Sequence, residues 1–137
     1  MRINSYLTFD GQCEAAFKFY AECLRGKIEA MFPFGETPAS EHVPAHFHNR
    51  IMHARLTVGD QALMGSDCTP DHPYVGVKGC SVSLNVDSVA EAERIFNALA
   101  ESGTVQMPLQ QTFWAQRFGM TVDRFGVPWM VNCEAAA

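Results

Sequence analysis

The sequence is short of basic charge. Ten Lys and Arg stand against fifteen Asp and Glu, for a formal net charge of -5, and no basic cluster interrupts the acidity. A protein that grips a phosphate backbone needs such a cluster, so no nucleic-acid partner is expected. Long hydrophobic runs are missing as well. None approaches the roughly 20 residues that span a bilayer, so no membrane partner is expected. The opening "MRINSYLTFDG" alternates and lacks the apolar core of a signal peptide, which predicts a cytoplasmic location. The cysteines lack a pairing pattern. Cys13, Cys23, Cys68, Cys80 and Cys133 are odd in number, with no C-x-x-C among them. They read as reduced, mostly buried small hydrophobes, and nothing singles one out as a catalytic thiol. Also absent is a glycine-rich strand-to-helix turn of the kind that binds nucleotide-like cofactors.

What is present is enough apolar material for a core: 47% hydrophobic residues in a chain of 137, a length that suits one domain. That material is written twice. "YLTFDGQCEAAFKFYAECLRGKIEA" and "SLNVDSVAEAERIFNALAESGTVQM" align at an offset of 77, pairing Leu7 with Leu84, Asp10 with Asp87, Glu14 with Glu91, Phe19 with Phe96 and Gly26 with Gly103. Repeats of this kind mark duplicated structural units. Each copy reads strand, helix, strand. Leu7 and Phe9 oppose Asn4, Tyr6 and Thr8; Val82, Leu84 and Val86 oppose Ser81, Ser83 and Asn85. Such alternation marks strands with unlike faces. In the helices, Ala16, Phe19, Tyr20, Cys23 and Leu24 form one apolar stripe, and Ala92, Ile95, Phe96 and Leu99 the other. Ser88 with Glu91 makes a capping box, and Gly11 with Glu14 a weaker one. Gly26 and Gly103 sit where left-handed C-caps would end the helices.

A hairpin follows each unit, turning at Gly59-Asp60 in the first copy and Phe125-Gly126 in the second. These hairpins align at an offset of 66, pairing Met64 with Met130. The first copy therefore carries 11 extra residues between its second and third strands, in "GETPASEHVPAHFHN". The predicted fold is α+β: one domain, 1–137, of two βαβββ modules at about 1–67 and 79–134, with a long loop or lid at 35–50. Pairing the modules would curl their mixed sheets around a cavity.

This order, carried by "YLTFDGQCEAAFKFYAECLRGKIEAMFPFGE", "IMHARLTVGDQALMGSD" and "SVSLNVDSVAEAERIFNALAESGTVQMPLQQTFWAQRFGMTVDRFGVPWMVNC", resembles the vicinal oxygen chelate superfamily of glyoxalases, dioxygenases and bleomycin-resistance proteins. Within it the chain is most similar to the PhnB-like branch. The resemblance implies a cavity inside the curled sheet and a homodimer. It also implies that metal-binding members draw His, Glu or Gln ligands from the first and fourth strands of each module. Those positions fall here on Asn4, Met64, Ser81 and Met130. None is a usual ligand for a hard or borderline divalent ion, so no metal or other cofactor is expected there. Some PhnB-like sequences carry methyltransferase names. The missing glycine-rich turn and the lack of a doubly wound sheet argue against that activity.

Four of the five histidines crowd into "EHVPAHFHNRIMHARL". His42, His46 and His48 lie on the extra loop, where Pro44 interrupts any helix that would gather them; they are read as exposed loop residues. His53 lies on the third strand. The Gly59-Asp60 turn sets Val58 opposite Gln61, so Arg55 faces Met64 and His53 faces Ser66 on one side of the sheet. His53 is a candidate catalytic proton-transfer group, or simply a hydrogen-bonded rim residue. Arg55, the second candidate, would pair with a ligand's carboxylate or phosphonate, or with an internal acid such as Glu36. Tyr6, Ser83, Trp114, Thr121 and Asn132 complete the predicted ligand-binding cavity, while Trp129 is expected to point to the core. Two functions remain: a metal-independent protein that binds a small molecule, or a metal-dependent lyase, isomerase or dioxygenase that recruits His53 and the loop histidines.

Overall fold

The computed structural model describes residues 1–134. Two compact units emerge, Met1–Gly76 and the residues from Val77 onward. The first contains β1 (Ser5–Phe9), α1 (Cys13–Leu24), β2 (Lys27–Pro33), β3 (Ile51–Val58) and β4 (Gln61–Asp67). The second contains β5 (Val82–Val86), α2 (Val89–Ala100), β6 (Thr104–Gln110), β7 (Ala115–Val122) and β8 (Pro128–Glu134). The sheets have the orders β1-β4-β3-β2 and β5-β8-β7-β6. In each, the first strand runs parallel to the fourth while the other pairs are antiparallel. The α+β class and the duplicated βαβββ order are those the sequence predicts.

The alternation sorts one face of each sheet onto its helix. In the first unit Leu7, Phe9, Ala54, Leu56 and Leu63 are buried on that face, against Cys13, Ala16, Phe17, Tyr20 and Cys23 of α1. Burying each large side chain contributes roughly 1.5–3 kcal/mol. The expected stripe holds at Ala16, Tyr20 and Cys23 but not at Phe19 and Leu24, which are only half-buried; Cys13 and Phe17 are buried instead, Phe17 lying edge-on to Phe9 at 6.2 Å. The buried positions of α2, namely Ala92, Ile95, Phe96 and Leu99, are those expected. Four of the five cysteines are buried, with Cys80 exposed. Burial pushes the Cys13 thiol up, reinforced by the nearby Asp67 and Glu14.

Three local expectations change. The left-handed residues that end the helices are Arg25 (φ 53°) and Ser102 (φ 60°), one before each predicted glycine. Gly26 and Gly103 are needed for another reason: a Cβ there would meet the carbonyl oxygens of Thr57 at 2.7 Å and Val122 at 2.3 Å. The weak cap at Gly11 is replaced by a carboxylate from β4. Asp67 accepts from the Gly11 and Cys13 amides at 2.8 and 3.0 Å, whereas Ser88 caps α2 locally through the Glu91 amide. The second hairpin is not a two-residue turn. Gly126 donates to the Asp123 carbonyl and Asp123 to that of Val127, so three residues sit at the tip. The Asp123 carboxylate locks that tip by accepting from Phe125, Val127 and the Trp129 indole. The Gly59-Asp60 turn is as predicted, with Val58 paired to Gln61.

The extra residues of the first module do form one long connection, between β2 and β3, organised as three short 3-10 turns. Phe34 is buried beneath it. Its far end is tied down by Arg50, which bonds Asp10 at 2.8 Å and lies 4.4 Å over the Phe47 ring. That bond holds the Asp10 carboxyl below the usual carboxylate range, with a smaller lowering from Cys68. A carboxyl whose folded pKa is depressed stabilises the fold fully above its ordinary pKa, and loses that contribution as pH falls through the folded value. The loop anchor is therefore expected to release below roughly pH 4. The protection of the Arg50 and Phe34 amides, measured against their intrinsic exchange at each pH, should fall there, and Asp10→Asn should show the lower protection already at neutral pH.

Candidate functional site

On the face of the first sheet away from α1, the ladders place Tyr6 beside Met64, Met64 beside Arg55, and Arg55 beside Ala30. The next row begins with Thr8 beside Ser66 and ends with His53 beside Phe32. This is the register predicted from the Gly59-Asp60 turn. Tyr6 and Phe32 are each 50% exposed. Tyr6 reaches diagonally across Met64: its hydroxyl lies 3.2 Å from His53 Nδ1, and the two rings stack at 5.8 Å. His53 is thus a hydrogen-bonded residue on an accessible face. Arg55 does not pair with Glu36 or with any other acid among the described residues, and its Nε is buried without a hydrogen-bond partner. Asn4 directly precedes β1, at the edge of the same face.

The second sheet repeats the row with other chemistry. Ser83 lies beside Met130, Met130 beside Met120, and Met120 beside Met107. The registers confirm Met64 and Met130 as equivalents, and they place Met120 where the first module has Arg55. The strands β3 and β7 are therefore related by an offset of 65. The first module's long connection carries one more residue than expected, and the β7–β8 turn gains one back. Asn132 donates to Asn85 at 3.1 Å on this face. Trp114, 45% exposed, stands edge-on to Phe118 at 5.4 Å. Ser81 and Met130 also share a groove of about 650 Å³ with Cys80, Gln106, Val122 and Pro128.

Thr121 does not belong to this surface. It is fully buried, pairs with Trp129 on the helix side, and donates to the Thr104 carbonyl. Parity explains it: the open face of β7 takes Phe118 and Met120, so the residue between Met120 and Val122 must point inward. Trp129 is buried as predicted. Phe32, Met120 and Gln106 were not anticipated. The repeat held the signal for Met120, but using it required knowing that the two hairpin turns differ by one residue.

The loop histidines do not converge. His42 and His46 are exposed, His46 packs on Phe47, and His48 bonds the Ser40 carbonyl at 3.1 Å. Among the described residues no three His, Cys, Asp or Glu side chains stand close enough to hold a metal ion. At the superfamily's ligand positions the first unit offers an amide and a thioether (Asn4, Met64), and the second a hydroxyl and a thioether (Ser81, Met130). Such donors do not fit a hard or borderline divalent ion.

Comparison with known proteins agrees with this fold. Residues 1–132 match the family described as 3-demethylubiquinone-9 3-methyltransferase. Protein YjdN of Escherichia coli K12 is 34% identical over 140 residues, covering 96% of this chain and 95% of that protein. The crystal structure of protein PA1353 from Pseudomonas aeruginosa is 61% identical, with a TM-score of 0.91 and 98% of each chain covered. A Bacillus cereus structure described as a putative 3-demethylubiquinone-9 3-methyltransferase, PhnB protein, shares 23% identity at a TM-score of 0.79, covering 97% of this chain and 99% of that one. The fold extends to a glyoxylase/bleomycin resistance protein/dioxygenase domain from Frankia sp. EAN1pec, with 12% identity, a TM-score of 0.67, and 100% and 93% of the two chains covered. Two modules with open, mixed four-stranded sheets, each backed by one helix, are the fold this chain shares with the PhnB protein and with the glyoxylase/bleomycin resistance protein/dioxygenase domain, and the chain belongs to the family described as 3-demethylubiquinone-9 3-methyltransferase.

Proposed function

We propose that this chain binds a small organic molecule on the helix-free faces of its sheets, without the superfamily's metal centre. The observation that carries the reading is the row Tyr6–Met64–Arg55 with its neighbour His53. It offers a hydroxyl, a thioether, a guanidinium and an imidazole on an accessible surface. A sheet face built only for stability would carry branched aliphatics there. The donor chemistry at Asn4, Met64, Ser81 and Met130 supports a metal-independent site. A cytoplasmic homodimer, with no nucleic-acid or membrane partner, is part of the same proposal.

The methyl transfer named in the family's description is not carried over to this chain. Each described sheet is a mixed four-stranded ladder with a helix on one face, and membership of a fold does not transmit a reaction. The enzymatic alternative, a metal-dependent lyase, isomerase or dioxygenase, draws its support from the Tyr6–His53 hydrogen bond. It would need His53 as a ligand.

Elemental analysis separates the two readings. Protein equilibrated with Ni, Zn, Mn or Fe and then desalted is expected to retain far less than one ion per chain, in the wild type and in His53→Ala alike. One ion per chain in the wild type that His53→Ala loses would establish the metalloenzyme reading. A stoichiometric ion that survives the substitution would also overturn the metal-free proposal, while removing His53 from the account.

A further inference from the structure

Every other arginine in this chain pairs with an acid or is exposed. Arg50 pairs with Asp10, Arg94 with Glu91, Arg117 with Glu93 and Arg124 with Glu101, while Arg2 and Arg25 are exposed. Arg55 is half-buried in the sheet face and pairs with no acid among the described residues; its Nε is sealed from solvent without a hydrogen-bond partner. The nearest polar groups of the sheet face bond elsewhere and not to Arg55. Glu29 of the edge strand is taken by Thr57 at 3.1 Å and Lys27 at 3.9 Å, and the Tyr6 hydroxyl and His53 Nδ1 hold each other. A partly desolvated guanidinium without a counter-ion is costly. The fold does not require it, because the second module sets Met120 at the equivalent point of its own sheet.

The geometry points to Arg55 as the seat for the carboxylate of a ligand whose flat apolar body lies against Tyr6, His53 and Phe32. The planar guanidinium presents a fork that matches a carboxylate's two oxygens. The exposed Tyr6 ring at the end of the row and the Phe32 ring beside His53 in the next row supply aromatic area near the charge. This inference rests on the binding reading above and adds the ligand's class to it: an aromatic carboxylic acid.

The test titrates benzoate and 2-naphthoate, with their neutral carboxamides as controls, against the intact protein, reading backbone amides and the arginine Nε–H resonances by NMR. The carboxylates should bind at least tenfold more tightly than the amides and shift the Arg55 Nε–H signal together with the Tyr6, Met64 and His53 amides. Arg55→Met should remove that preference and Arg55→Lys should retain part of it, since a lysine keeps the charge and loses the fork. Equal binding of acid and amide at this face, or undiminished carboxylate binding by Arg55→Met, would overturn the anion assignment and leave the binding reading standing. If none of the four compounds perturbs these amides, the binding reading itself falls, and this inference with it. Should Arg55→Met fail to fold, the guanidinium is structural, contrary to the equivalence with Met120. The wild-type Nε–H response then decides whether it also meets the carboxylate.

Discussion

Asp67→Ala is expected to destabilise the first module by about 3–5 kcal/mol. The Asp67 carboxylate is buried and accepts three backbone amides: Gly11 and Cys13 on one oxygen, at 2.8 and 3.0 Å, and Ile51 on the other, at 2.8 Å. These bonds join the β1–α1 turn to the first residue of β3 from the last residue of β4. Alanine would strand buried N–H donors, each costing about 1–3 kcal/mol when unpaired. It would also uncap α1, whose N-cap residue Gln12 makes no side-chain bond of its own; loss of a cap typically costs about 1 kcal/mol. Asp67→Asn should lose less, because one oxygen remains to accept while the amide nitrogen faces the Ile51 N–H. Urea unfolding followed with hydrogen exchange is the measurement. At a slope near 2 kcal/mol/M, the midpoint should fall by about 2 M. Exchange at Gly11, Cys13 and Ile51 should accelerate most, while α2 amides change little. A shift under about 0.5 M would mean that solvent replaces the carboxylate as acceptor.

Asp67 also marks the limit of what the sequence discloses. Its equivalent in the second module is Cys133, since Phe9 pairs with Asp67 as Val86 pairs with Cys133. The second module needs no carboxylate there because Ser88 caps α2 from the adjacent position. A local cap is readable from a few consecutive residues. A cap supplied from 54 residues away is a tertiary contact with no local pattern. The same division runs through the site. The faces of β1, β3 and β4, and the meeting of Tyr6, His53, Arg55 and Met64, followed from alternation and one two-residue turn, because side chains on a strand obey a period of two. Thr121 did not, because a single residue more or less reverses that period. The Arg55–Glu36 alternative was open in the sequence because it depends on where a long connection folds. Here that connection is anchored on Arg50 and Asp10, and Glu36 is exposed.

Gly103→Ala should be at least as damaging, by a wholly different mechanism. Glycine to alanine ordinarily stabilises a protein by about 0.4–1 kcal/mol where the backbone conformation permits, by restricting the unfolded chain. Gly103 has no positive φ to forbid alanine, so propensity alone predicts a gain. The neighbours reverse it. The new Cβ would lie 2.3 Å from the Val122 carbonyl oxygen and 3.0 Å from the Asp123 Cα, all backbone atoms with no rotamer through which to yield. Relief requires β6 to move off β7 where Thr104 pairs with Val122. It also disturbs Asp123, whose carboxylate holds the hairpin tip and the Trp129 indole. A cost of about 3 kcal/mol or more is expected from strain of this kind. Gly59→Ala is the informative contrast: nothing lies within 4 Å of its Cβ, but its φ is +60°, so only the left-handed penalty of about 1 kcal/mol applies. Gly26→Ala, at 2.7 Å from the Thr57 carbonyl, should fall between them. Thermal or urea unfolding of the three variants should rank them Gly103, Gly26, Gly59 in decreasing damage. A Gly103→Ala protein as stable as the wild type would show that β6 can shift without cost. The glycine that the repeat places at the end of each helix would then need an explanation other than the close approach of the sheet.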